Sequence, residues 1–229
     1  MARSPKGGSA PGGPGTHPPR LDALRLVDLG PGDAERLSAH ETTEGERFES
    51  VDLSGRDLAG LTLLECELRD VVAHETLLRG ARFAEVRIER MNAPVLSAPR
   101  SSFLEVVLEG SRLGSAEFFD ADWQSVHLID CKLGFVNLRG AQLRDVRFTN
   151  CTIDELDLGG ARAERVAFDD SHVESLDLTR ASLAHVDLRS LEMRRITGLD
   201  GLRGATVSSA QASDLAAMLA AHLGLRVED

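Results

Sequence analysis

From Phe48 onward the chain places an apolar residue at every fifth position, through Leu53, Leu58, Leu63 and Leu68 to Met193, without one slip of frame. All thirty of these central positions are apolar, and only Ala73, Ala93, Ala98 and Ala163 are small. Two places before each centre stands Ala, Cys, Ser, Thr, Val, Leu or Met in 28 of the 30 units, Glu46 and Arg56 being the exceptions. The residue between those two is polar or charged in 26 units, so a second side chain per unit points inward and the others outward. A period of five suits neither an α-helix nor a flat strand. It suits a solenoid in which each unit forms one side of a coil and four sides close a square turn of 20 residues. Successive turns then stack at about the 4.8 Å spacing of hydrogen-bonded strands. Thirty units make seven and a half turns.

The same period predicts contacts. Phe83, Phe103 and Trp123 stack on one side, Phe148 and Phe168 on another, and Cys131 lies over Cys151 as a pair of inward thiols. Gly55, Gly60, Gly80, Gly110, Gly140 and Gly160 fall two places after a centre, where corners need a positive φ. Pro94 and Pro99 sit beside the small centres Ala93 and Ala98, which predicts a narrowed, bent coil there.

Outside the frame the chain changes character. Residues 1–20 hold ten Pro or Gly residues and read as a disordered tail; residues 21–45 read as an N-terminal cap. The repeat occupies 46–195. Residues 196–229 read as a C-terminal cap with a helix at about 209–223, started by Ser208, Ser209 or Ser213 and stopped at Gly224. Leu215, Met218, Leu219, His222 and Leu223 line one face of that helix, which would cover the open coil end or also pair two chains as a homodimer.

Units such as Val51-Asp52-Leu53, Ala121-Asp122-Trp123, Val136-Asn137-Leu138, Leu156-Asp157-Leu158, Leu176-Asp177-Leu178 and Val186-Asp187-Leu188 resemble the pentapeptide-repeat family over about two thirds of the chain. The resemblance implies an all-β fold, a right-handed quadrilateral parallel β-helix. It also implies a class of interaction proteins, some of which bind DNA gyrase as acidic mimics of DNA.

Composition narrows the choice. A formal charge of −11, with Lys6 and Lys132 the only lysines, disfavours direct binding to nucleic acid. The opening MARSPKGGSAPGGPGTHPPR has no apolar signal segment, and no run is long enough to span a bilayer, so a cytoplasmic, non-membrane protein is the expectation. Three cysteines without a paired spacing suggest neither zinc nor a disulfide framework. No nucleophile elbow, phosphate loop or metal signature occurs, and the histidines fall on outward positions, so no enzyme, cofactor or metal is expected.

Surface remains. The most acidic side of the square supplies the candidate partner-binding carboxylates Glu89, Glu109, Asp130, Asp169, Asp170 and Asp187, the expectation for a DNA mimic that engages DNA gyrase. Arginines interrupt that side, so a salt-bridged, merely solvated surface is the competing reading. The outward apolar row Leu64, Ala84 and Leu104 suggests instead a scaffold that binds another protein.

Overall fold

The computed structural model describes residues 15–226 and 228. Its central feature follows directly from the five-residue frame. Centre after centre is withdrawn from solvent, with Phe48, Leu138 and Ile153 fully buried, and residues 20 apart pair in parallel. Phe83 pairs with Phe103, Phe103 with Trp123 and Trp123 with Leu143. The result is a parallel β-solenoid of about nine turns. Its strands form a 12-stranded sheet and a 7-stranded sheet.

Each sheet wraps two sides of the square. In the larger sheet, strands such as Arg82–Glu89, Ser102–Glu109 and Asp122–Ile129 carry two centres apiece. They bend between those centres at Glu85, Glu105 and Ser125, whose φ angles of 55, 55 and 56° are left-handed. The smaller sheet stacks Asn92–Ser97, Arg112–Glu117, Lys132–Asn137 and Thr152–Asp157.

The predicted corner glycines all have positive φ. They are not required by the corner, however, because many non-glycine residues take the same conformation. Gly114 and Gly134 are needed for a different reason. A Cβ at Gly134 would lie 2.3 Å from the carbonyl oxygen of Gly114, and one at Gly114 would lie 2.4 Å from that of Pro94. Pro94 itself does not break the coil, since Asn92–Ser97 stays in register with Arg112–Glu117.

Inside, Phe83 and Phe103 stack at 4.8 Å and 3°, and Phe148 and Phe168 at 4.7 Å and 6°. Trp123 departs from the ladder. It meets Phe103 edge-on at 69° because Phe118 enters from the next side, 5.1 Å from the indole. Cys66, Cys131 and Cys151 are free and buried. Cys131 donates to the carbonyls of Leu108 and Ile129, and the neighbouring Cys151 thiol together with burial pushes the Cys131 thiol up.

The coil extends beyond the frame at both ends. Gly30–Pro31 pairs with Glu46–Arg47, and Thr42–Glu44 with Thr62–Leu64, so stacking starts well before Phe48. Arg56, an exception to the inward pattern, serves this end: its guanidinium donates to the carbonyls of Ala34 (2.6 Å) and Leu37. At the far end Ala205–Thr206 pairs with Val186–Asp187. Helix α1, Ser209–His222, follows with a Ser208–Gln211 capping box.

The tail reading covers residues 1–20. Residues 1–14 lie outside the described part of the chain, but Gly15–Arg20 are placed against the coil, with Pro19 buried, and are not a free tail.

Candidate functional site

The side of the coil that bears Glu89, Glu109, Asp130, Asp169, Asp170 and Asp187 is a single surface, because the frame returns to it every 20 residues. The same stacking brings arginines onto those carboxylates. Arg69, Arg87 and Arg90 lie 3.4, 3.9 and 3.4 Å from Glu89. Arg87 reaches Glu109 at 3.5 Å, Arg147 reaches Asp169 at 3.5 Å, and Arg189 reaches Asp187 at 2.6 Å. Asp130 accepts from the Asn150 amide at 2.6 Å. Of the six, only Asp170 has neither an ion pair nor a side-chain hydrogen bond among the described residues.

The pairing is deepest at Glu67, whose side chain is buried between Arg47 (2.6 Å) and Arg69 (2.7 Å). Burial works against its charge, yet the two guanidiniums outweigh it and hold the carboxyl below the usual glutamate range. Nearby, Asp70 receives two hydrogen bonds from Arg90, 2.6 and 2.7 Å, a forked contact that holds this exposed carboxyl low. This side is therefore a lattice of alternating charge more than an acidic stripe.

Unpaired acid stands one corner away. Glu65, Glu85 and Glu105 occupy the bend of successive strands of the larger sheet, and none forms an ion pair among the described residues. Sequence reasoning missed them, although the frame carried the signal: three glutamates recur at 20-residue intervals, each two places after its centre. Immediately before them come Leu64, Ala84 and Leu104, which the register aligns as the predicted apolar row. Leu104 is 39% exposed. Apolar row and glutamate column thus form adjoining stripes along the coil axis.

The terminal helix divides the roles foreseen for it. Gln211 donates to the carbonyls of Leu188 (2.6 Å) and Leu191 (2.8 Å), and Leu215 is buried against the coil end. His222 bonds to Asp200 at 3.1 Å. Met218, Leu219 and Leu223 do not join the covering face: all three are exposed, Met218 at the rim of a cleft that Met193 and Ile196 also line.

A narrow apolar cavity of about 50 Å³ inside the coil is lined by residues such as Leu58, Phe83 and Trp123 and by no titratable group. No cluster of three metal-ligating side chains occurs among the described residues, and no helix there is long and apolar enough to cross a membrane.

A parallel solenoid built on five-residue sides, closed by a helix and bearing its distinctive chemistry on the outside, defines a class of repeat protein. The family model described as a pentapeptide repeat region matches residues 100–178 and 121–197. The chain thus carries a region that matches the pentapeptide-repeat family, within the longer five-residue frame. Among solved structures it is similar to a trypsin-treated variant of QnrB1, described as a plasmid-mediated fluoroquinolone resistance protein. That match has 17% identity and a TM-score of 0.44, and covers 85% of this chain and 94% of the other. HetL, a pentapeptide-repeat protein involved in heterocyst differentiation regulation from the cyanobacterium Nostoc sp. strain PCC 7120, matches at 17% identity and a TM-score of 0.33. Coverage there is 75% of this chain and 91% of HetL. No curated protein sequence matches the chain.

Proposed function

We propose that this protein is a non-catalytic, cytoplasmic interaction rod, and in its most specific form an acidic DNA mimic that engages DNA gyrase. The observation that carries the reading is the column Glu65, Glu85, Glu105: carboxylates without ion-pair partners among the described residues, repeated once per coil at about strand spacing. A DNA-binding protein is steered by an extended field of one sign, which ion-paired carboxylates supply poorly and an unpaired column supplies well. Asp130 and Asp170, which have no arginine partner among the described residues, add to that field from the next side. The family resemblance and the formal charge of −11 support the same direction. Within this reading the exposed Met218, Leu219 and Leu223 of α1 receive a second copy, giving a homodimer that doubles the rod.

The test is a DNA gyrase supercoiling assay titrated with the full chain, with and without a quinolone, at two salt concentrations. Salt-sensitive inhibition or protection from drug-induced cleavage is the expected result. No effect at large molar excess overturns the gyrase reading. The alternative is a scaffold that binds another protein through Leu64, Ala84 and Leu104. It is favoured by the alignment of those residues and predicts partner binding that changes little with salt.

A further inference from the structure

The segment before the coil runs against the direction in which the coils succeed one another. Thr16 hydrogen-bonds to Thr206 beside the C-terminal cap. The His17 ring meets the His185 ring at 4.4 Å, and its backbone N–H points at His185 Nδ1 at 3.5 Å. Arg20 lies two to three coils further back: its N–H donates to Asp145 Oδ1 at 2.9 Å, and its carbonyl accepts from Ser125 Oγ at 3.4 Å. By Gly30 the chain has reached the first coil, where the Gly30 N–H donates to Gly45 at 2.8 Å. Residues 16–30 therefore form a strap along one corner, the corner of Glu105, Ser125, Asp145, Arg165 and His185.

In a solenoid each coil touches only its neighbours, so stability is a sum of local terms and the ends fray first. The strap's contacts are of another kind, joining residues 105 to 190 positions apart. Its best-built anchor is Asp145. That carboxylate is buried, takes two hydrogen bonds from Arg165 at 2.6 and 2.8 Å, and uses Oδ1 again for the Arg20 N–H. Pro19 is buried beside it, and Pro18-Pro19 favours an extended chain that loses little entropy on docking.

We propose that residues 16–29 are a releasable lash that couples the C-terminal coil and its cap to the middle of the rod. While it is docked, the end of the coil opens only when the strap leaves. Once it is released, the last coil and α1 fray independently, and the corner at Ser125, Asp145 and Arg165 becomes accessible.

Hydrogen exchange on the full chain tests this, comparing the parent with the double variant Thr16→Ala, Arg20→Pro. The second change removes one N–H next to an existing proline and leaves the coil's own residues intact. Arg25-Leu26 serves as a tryptic reporter of strap release. The expected result is faster cleavage there, with at least about tenfold loss of protection at the amides of Val186 and Leu188, which bond to Gly204 and Thr206. Amides around Trp123 change less than about twofold. Faster cleavage with unchanged protection at Val186 and Leu188 overturns the coupling. Unchanged cleavage overturns the assignment of these contacts as the anchors. An Arg20→Ala variant, which keeps the N–H, behaves like the parent if the backbone bond is what matters; if it releases the strap, the anchor assignment is overturned.

Discussion

One corner of the solenoid is built twice, and its two halves differ. Toward the N-terminus it shows Glu65, Glu85 and Glu105, like-charged and without ion pairs among the described residues, with Glu65 and Glu85 exposed. Toward the C-terminus it shows Ser125, Asp145, Arg165 and His185, bonded to one another or to the strap. The backbone is the same throughout, with φ between 50 and 57° at every one of these positions from 65 to 185. The repeat therefore sets the corner's conformation and leaves its chemistry free. One half is spent on stability, and the other carries carboxylates without ion pairs among the described residues.

The largest effect expected from this contrast is at Asp145. Asp145→Ala takes from the Arg165 guanidinium, only 13% exposed, the forked one of its two carboxylate partners, leaving Glu164 alone, and strips the strap of its acceptor. A loss of about 3 kcal/mol is expected in denaturant unfolding, the usual scale for breaking a largely buried pair from one side. Glu85→Ala, at the equivalent place in the open half, should stay within about 0.5 kcal/mol of the parent. Equal losses at the two positions would erase the distinction.

A smaller effect is expected from pH. Burial opposes the Asp145 charge, but Arg165 and the Arg20 N–H outweigh it and hold the carboxyl below its ordinary value of 3.8. A carboxyl lowered by folding contributes stability that is full above the ordinary value and is lost as pH falls through the lowered one. Glu67, lowered from 4.5 by Arg47 and Arg69, acts in the same direction. Unfolding followed from about pH 6 down to about pH 2 should show stability falling in the acid range, with a shallower fall in Asp145→Asn. An identical slope in that variant would remove Asp145 from the account.

The smallest effect belongs to the open half. Replacing Glu65, Glu85 and Glu105 together with glutamine should raise stability slightly at low salt, by a few tenths of a kcal/mol per relieved pair, and the gain should vanish at high salt. A loss of stability would mean that these carboxylates have partners the comparison denies them.

Sequence reading recovered the coil because its information is inward and periodic: Phe83, Phe103 and Trp123 announce their alignment at a fixed interval. The glutamate column was legible by the same rule, once attention moved from the centres to the second place after them. Ion pairing on the neighbouring side was legible only in part. Arg147 and Asp169 are 22 apart, so their approach depends on side-chain reach as well as register. The strap was not legible at all. Its contacts run along the axis from a stretch that carries no repeat of its own, and reach residues as distant as Thr206. Likewise, nothing in the apolar pattern of α1 distinguishes Leu215, which the coil end buries, from Leu219, which it leaves exposed.

The most direct test of the functional account is the affinity of the full chain for DNA gyrase at two salt concentrations, for the parent and for Glu65→Gln, Glu85→Gln, Glu105→Gln combined. The account predicts at least about tenfold weaker binding of the variant at low salt and a much flatter salt dependence. Equal affinity and equal salt dependence for the two proteins would contradict it.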